Sequence, residues 1–256
     1  MKLFFRKSGS GQPLIILHGL FGISDNWATL AKKWSDHFTV YAVDLRNHGQ
    51  SPHSDQWKYW IMAEDVLELI ESEKLSDVNL LGHSMGGKVG MRLALDAPEL
   101  ISKLIVSDIA PRKYPVGNQD VVSALMKVQP EKLETRKQAE EILALHLKDN
   151  GTIQFLLKNL YWDETDGNKK LKWRFNLPVI AKNLAVVSDA TDTPAPCDIE
   201  TLFIRGERSN YILKEDEQQI KTVFPNSKVE TIEDAGHWVH ADKPEEMFHA
   251  VMQFLS

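Results

Sequence analysis

Gly82-His83-Ser84-Met85-Gly86, followed at once by Gly87, sets one hydroxyl among small residues. The pattern G-x-S-x-G belongs to a turn where a strand runs into a helix so sharply that bulky neighbours cannot pass. The context agrees. Val78-Asn79-Leu80-Leu81 reads as a buried strand, and beyond Met85 the residues Val89, Leu93 and Ala97 share one helical stripe. Such a turn lifts the Ser84 hydroxyl clear of the strand and aims the free N–H groups of a helix N-terminus at the reacting centre. The chemistry implied is attack on an acyl carbon. A glycine-serine turn with no chemical role is the plainer alternative, and the flanking strand and helix argue against it.

A free hydroxyl is a poor nucleophile near neutral pH and needs a base. Of nine histidines, His237 stands out, in Asp234-Ala235-Gly236-His237-Trp238 between the last strand and the closing helix. His240 completes an H-x-x-H spacing, but no carboxylate or cysteine pattern accompanies it, so no metal site is expected. An imidazole base in turn needs an acid to hold it. The strand Thr201–Ile204 leads into Arg205-Gly206-Glu207-Arg208-Ser209-Asn210-Tyr211, where an acid would be sought, and Asn210 occupies the expected position. An amide can orient imidazole but supplies no charge to the imidazolium. Asp108, ending the apolar strand of Leu104-Ile105-Val106-Ser107-Asp108, is the better candidate, because a carboxylate there is costly unless paired. Glu207 is the second choice. Asp44, at the end of an earlier strand, is expected to be structural, bonding turn amides or Arg46.

Acyl transfer also builds charge on the carbonyl oxygen, which two backbone amides can stabilise. Met85, following the nucleophile, is one expected donor. Leu20, in Leu17-His18-Gly19-Leu20-Phe21-Gly22 after the first buried strand, is the other, with Phe21 as runner-up. His18 is expected to brace that loop.

The elements that must position these groups follow from periodicity. Leu14–Leu17, Phe38–Val43, Val78–Leu81 and Leu104–Val106 are continuous apolar runs, as in strands buried on both faces of a parallel sheet. Between them Trp27, Leu30, Ala31 and Trp34, and then Ala63, Val66, Leu67 and Ile70, fall at helical spacing. After Pro111 the rhythm changes. From about Tyr114 to Ala190 there is no convincing buried strand, only helical segments over Asp120–Val128, Arg136–Leu147, Thr152–Leu160 and Leu177–Val187, and Pro194-Ala195-Pro196 then breaks the helical run. Strands resume at Thr201–Ile204 and Lys228–Ile232, and a last helix begins at Pro244 with Glu245 and Glu246 in its favoured first turn. The expected organisation is an α/β core of residues 1–112 and 195–256, a mostly parallel central sheet flanked by helices. A helical cap, 113–194, is inserted after the strand ending near Asp108.

Bulk properties narrow the function. The 256 residues carry a formal charge of −6 with both signs mixed along the chain, which argues against a nucleic-acid partner. Cys197 is the single cysteine, so no disulfide forms within the chain. No apolar stretch approaches the length of a membrane span or of a signal-peptide core, and a cytoplasmic protein without a membrane partner is expected.

The segments HGLFG (18–22), DLRNHGQSP (44–52), GHSMGGKVG (82–90), SDIAP (107–111), IQFLLKNL (153–160), WRFN (173–176) and AGHWVH (235–240) together resemble the YbfF-type bacterial esterases of the α/β-hydrolase superfamily. GHSMGG is widely shared; SDIAP, IQFLLK and WRFN are far more particular. The resemblance implies the α/β-hydrolase fold, a helical cap over the site, and esterase or thioesterase activity on small-molecule acyl esters or acyl-CoA thioesters without a cofactor. It also implies that the acid lies in the DIAP segment, at Asp108.

Ser84, Asp108 and His237 would then form a triad working through an acyl-enzyme, with the amides of Leu20 and Met85 as oxyanion hole. Phe155, Trp162 and Trp173, with Phe21 and Trp238, are the expected aromatic wall of the acyl pocket, though each could equally be packing. Two rivals remain. One is other chemistry on this fold, such as carbon–carbon bond cleavage or cofactor-free haloperoxidation. Acidic substrates of the first kind would call for converging arginines, for which Arg112, Arg136 and Arg174 are available. The other is an inactive ligand-binding module.

Overall fold

The computed structural model describes every residue of the chain except Asp166, Asp192 and Pro194. Pro194, the expected end of the insertion, therefore lies outside the described residues. Seven strands form the main sheet: β1 (Phe4–Ser8), β2 (Pro13–Leu17), β3 (Thr39–Asp44), β4 (Val78–His83), β5 (Ile101–Ser107), β8 (Glu200–Gly206) and β9 (Ser227–Ile232). They lie in the order β1-β3-β2-β4-β5-β8-β9. All neighbours are parallel except β1, which runs antiparallel beside β3. The mostly parallel α/β core expected from the apolar runs is thus present, with β1 as an addition. Its sequence, FFRKS, is too charged to read as a buried strand, and it takes an edge, where charge is tolerated and discourages further pairing.

Alternate residues of each strand serve opposite faces, as the pleat demands. Ile15, Leu17, Val43, Leu80, Leu104 and Val106 join one core with Met62 and Val66 of α2 (Tyr59–Ser72), Val89 and Leu93 of α3 (Met85–Asp96) and Ile220 of α8 (Asp216–Val223). Leu14, Ile16, Val40, Leu81, Ile105 and Ile204 face the other way. There they meet Leu30 and Trp34 of α1 (Ala28–Trp34) and Met247 and Val251 of α10 (Pro244–Leu255). The short α9 (Val239–Asp242) precedes that closing helix.

Between β5 and β8 stand α4 (Gln119–Lys127), α5 (Arg136–Ala144), α6 (Asn150–Leu157) and α7 (Leu177–Lys182). Thr135 caps α5 through a reciprocal pair with Gln138, and the Asp149 carboxylate accepts the Thr152 amide at the start of α6. The insertion is not wholly helical. β6 (Leu160–Asp163) and β7 (Lys170–Trp173) pair antiparallel as a separate hairpin, so the expected helix over Thr152–Leu160 ends at Leu157. Four residues each, LYWD and KLKW, carry too little pattern to be read as strands from sequence. Leu125, Leu143, Leu156 and Leu171 belong to the same core as the sheet's first face, so the insertion is packed down rather than tethered.

The carboxyl ends of β2, β4, β5 and β8 open on one edge, under the insertion. α3 can start directly behind β4 because Gly86 lets the backbone carbonyls of Leu17 and His18 approach closer than any Cβ would allow. Gly86→Ala should therefore lower the urea-unfolding free energy by about 3 kcal/mol, since backbone cannot yield as a flexible side chain does.

Candidate active site

Ser84 stands between β4 and α3 with φ 52° and ψ −116°, a combination that neither strand nor helix supplies. Such strain persists only where surroundings over-determine it. Here the Ser84 amide bonds the Ser107 carbonyl at 2.9 Å, and Gly82 packs against the backbone of Gly86. The side chain is 8% exposed and opens only into the cavity above the sheet edge.

His237 comes to the same point from the loop after β9. Its Nε2 lies 3.0 Å from Ser84 Oγ, and its Nδ1 lies 2.8 Å from Asp108 Oδ2. A carboxylate can only accept, so Nδ1 carries the proton and Nε2 faces the hydroxyl with its lone pair. Asp108 is fully buried, also at positive φ, and its lone pairs are shared out. Oδ1 accepts the Gly206 amide at 3.0 Å, and Oδ2 accepts the Ser209 hydroxyl as well as the imidazole. Glu207 turns away and accepts the Asp234 amide at 2.9 Å; Asn210 is exposed and meets Arg112 through its carbonyl. Two contributors from the β8 loop were not foreseen. Ser209 holds the carboxylate, and the Tyr211 ring stacks on the His237 imidazole at 3.9 Å between centroids. Their signal was present in the loop examined for an acid, but a search for charge overlooks a hydroxyl and an aromatic ring.

Leu20 and Met85 line the same cavity as Ser84. Met85 opens α3, where the helix offers its N–H no carbonyl partner. The Phe21 amide, the alternative donor, is already committed to His48 Nε2 at 3.2 Å. Asp44 bonds the amides of Ser24 and Gln50 at 2.6 and 2.8 Å, whereas Arg46 forms a two-pronged pair with buried Asp65.

Three buried histidines, His18, His48 and His83, and the half-buried His240 surround this centre, and two of them, His18 and His48, have bonds that require the neutral ring. His18 donates from Nδ1 to the Gly19 carbonyl at 2.8 Å and accepts the Leu45 amide on Nε2 at 3.0 Å, which makes it the loop brace expected. His48 likewise donates to the Arg46 carbonyl while accepting from Phe21. His83 donates to the His237 carbonyl at 2.8 Å and so ties the residue before the serine to the loop carrying the base. His240 stacks on Trp27 at 4.2 Å. Burial pushes His18 down to about 4 and His48 and His240 down to about 3, and lowers His83 well below the ordinary value.

The cavity over Ser84 measures about 620 Å³. Phe21, Phe155 and Trp238 line it, joined by Ile109, Tyr114, Val121, Val187 and Tyr211. Trp162 and Trp173 do not, and the expectation for them is corrected. Both sit on the β6–β7 hairpin, where Trp173 stacks on Phe175 at 5.1 Å and Lys169 covers the Trp162 ring. Of the three arginines, Arg112 lines the cavity, and Arg136 and Arg174 do not. Arg112 pairs with Asp216 at 2.7 Å and lies over Tyr114, Arg136 donates to the Leu160 carbonyl, and Arg174 covers Tyr161. Among the described residues no helix is long and apolar enough to cross a membrane, and no group of three metal-ligating side chains is gathered.

The model of the alpha/beta hydrolase fold family matches residues 12–244, which is most of the chain. The chain belongs to the alpha/beta hydrolase family. Within that family it is 42% identical to a putative esterase/lipase of Haemophilus influenzae over 95% of this chain and 83% of the relative. It is 36% identical to esterase YbfF of Escherichia coli, over 96% and 94% of the two chains, so the likeness seen in the motifs extends along the sequence. An sn-1-specific diacylglycerol lipase, ABHD11 of Xenopus laevis, shares 38% identity over 96% of this chain and 80% of its own. Among solved structures, a marine microorganism esterase superposes with a TM-score of 0.95 at 42% identity, covering 99% of each chain. This alpha/beta hydrolase is thus matched from its first buried strand to its closing helix.

The neutral histidines make stability depend on pH. Unfolded, each titrates near 6.5; folded, His18 and His48 do so only near 4 and 3. The unfolded chain binds more protons, so stability falls as pH drops from 7 toward 4, by at most about 1.4 kcal/mol per pH unit for each histidine. Urea midpoints at pH 7 and pH 5 should differ in that direction, and His48→Gln should flatten the slope.

Proposed function

We propose that this protein is a serine carboxylesterase that passes the acyl group of an ester or thioester through Ser84. The observation that carries the reading is the unbroken line of hydrogen bonds from Ser84 through His237 to Asp108, opening beneath an apolar cavity. The esterase and lipase names of its relatives support the same class.

In the proposed cycle His237 Nε2 takes the Ser84 proton as Oγ attacks the acyl carbonyl. The carbonyl oxygen gains the displaced electron pair and is held by the amides of Leu20 and Met85. When the tetrahedral adduct collapses, the alcohol or thiol leaves with the proton from His237, and the acyl group remains on Ser84. Water, deprotonated by the same imidazole, then attacks the acyl-enzyme and releases the acid. Asp108 fixes the imidazole tautomer and balances its charge, while Ser209 and Gly206 keep the carboxylate in line. Residues 113–194 act as a cap whose underside, with Phe155, Val121 and Val187, faces the acyl chain; Phe21 and Trp238 complete the wall.

Carbon–carbon bond cleavage of acidic substrates fits less well, because Arg136 and Arg174 are engaged away from the cavity and Arg112, which does line it, is already paired with Asp216. Side-by-side assays of nitrophenyl esters, acyl-CoA thioesters and acidic diketones test the class, and turnover of the diketones alone would overturn it. An inactive binding module would leave the wild-type chain unlabelled by a fluorophosphonate. We expect labelling, and expect Ser84→Ala to abolish it. Asp108→Asn should lower kcat by about 10³–10⁴-fold, whereas Glu207→Gln and Asn210→Ala should stay within about threefold of wild type. The opposite ranking in steady-state assays would assign the acid elsewhere.

A further inference from the structure

The loop bearing the Leu20 amide is a turn under strain. Gly22 bonds back to the Gly19 carbonyl at 2.9 Å, which makes Leu20 and Phe21 its two central residues. Phe21 takes φ 59° at the third position, where a positive φ ordinarily calls for glycine. A side chain in that region costs about 1–2 kcal/mol, so the turn relaxes unless something holds it.

Two side chains do, one from each side of Phe21. His48 accepts the Phe21 amide, and the Asn159 Nδ2 donates to the Phe21 carbonyl at 2.8 Å. His48 comes from the sheet-edge loop after β3, but Asn159 comes from the insertion, 138 residues along the chain. Asn159 is fully buried between α6 and β6, and its own carbonyl accepts the Arg174 amide at 2.8 Å. The next residue but one after Arg174 also reaches down, Asn176 bonding the Asn47 carbonyl, while Phe175 sets its ring edge-on against Phe21 at 5.1 Å.

The amide of Asn159 is not there for its own sake. Its Oδ1 is buried with no hydrogen-bond partner among the described residues, whereas its Nδ2 is engaged, so the donor is the half of the side chain that the fold uses. The two acceptors near Nδ2, the carbonyls of Phe21 and Leu156, fix which end is nitrogen. A residue serving only to pack α6 against the hairpin would be better apolar.

We propose that Asn159 is a positioning residue of the oxyanion hole: from the insertion, it locks the strained Leu20–Phe21 turn in the form that aims the Leu20 amide at the reacting carbonyl oxygen. The proposal rests on the esterase reading above. It links the IQFLLKNL and WRFN segments to the chemistry. Docking of the insertion and formation of the hole become one event, because the bond that seats α6 also completes the turn.

The test uses the full-length protein, a nitrophenyl ester and an alkylboronic acid, which adds to the serine hydroxyl and sets a tetrahedral oxygen in the hole. Asn159→Leu keeps the volume and removes the donor, and Asn159→Ala serves if the leucine variant does not fold. Below the melting temperature of the variant, kcat should fall about 10- to 100-fold, with KM within about threefold. Boronate affinity should fall by the same factor as kcat/KM. A lower Tm with kcat and boronate affinity kept would make Asn159 a packing residue and overturn the proposal. Wild-type protein that neither hydrolyses the ester nor binds the boronate would instead defeat the esterase reading.

Discussion

The arrangement depends on one desolvated carboxylate. Asp108 directly follows β5, behind its buried apolar run Leu104-Ile105-Val106, with none of its surface open to water. An unpaired charge there would not survive, and its oxygens are met by donors from three pieces of chain: the Gly206 amide, the Ser209 hydroxyl and the His237 imidazole. Satisfying that one group therefore brings β5, the loop after β8 and the loop after β9 to a common point. The imidazole, once held by the acid, has no choice about where its second nitrogen faces, and it faces Ser84.

A second layer keeps this centre electrically quiet. Four imidazoles lie around the serine loop, yet burial holds them neutral, so they act as shaped hydrogen-bonding parts rather than as competing bases. His18, His48 and His83 each donate from one nitrogen to a backbone carbonyl, and His18 and His48 also accept an amide on the other. His237 differs in what it meets: its partners are a carboxylate and a hydroxyl, not the main chain. That contrast is what singles out His237 for the proposed role of base.

Much of this was legible in the residues. Continuous apolar runs marked the central strands because burial on both faces leaves no room for polarity. Ser84 announced itself because only glycine tolerates the packing around its turn. The absence of a carboxylate at Asn210 pointed back to Asp108. The rest needed three dimensions. β1 and the β6–β7 hairpin are too short and too charged to carry a pattern, and Trp162 and Trp173 are as bulky and apolar as any pocket wall yet pack on the hairpin. Ser209 and Asn159 act through a single donor each, and a lone hydroxyl or amide has no periodicity by which to be recognised.

On the proposed reading the acid comes from β5, so Ser84 and Asp108 follow adjacent paired strands, fixed by backbone ladder bonds before the insertion begins. The loop after β8 is thereby relieved of contributing a charge. It contributes surface instead, with Arg208, Asn210 and Tyr211 bordering the cavity beside the imidazole. Arg208 and Asn210 can change with the molecule to be admitted, whereas Tyr211 is held against the imidazole and the separation between serine and carboxylate stays put. The chain thus keeps its reactive spacing and its selectivity on different stretches of polypeptide, free to drift independently.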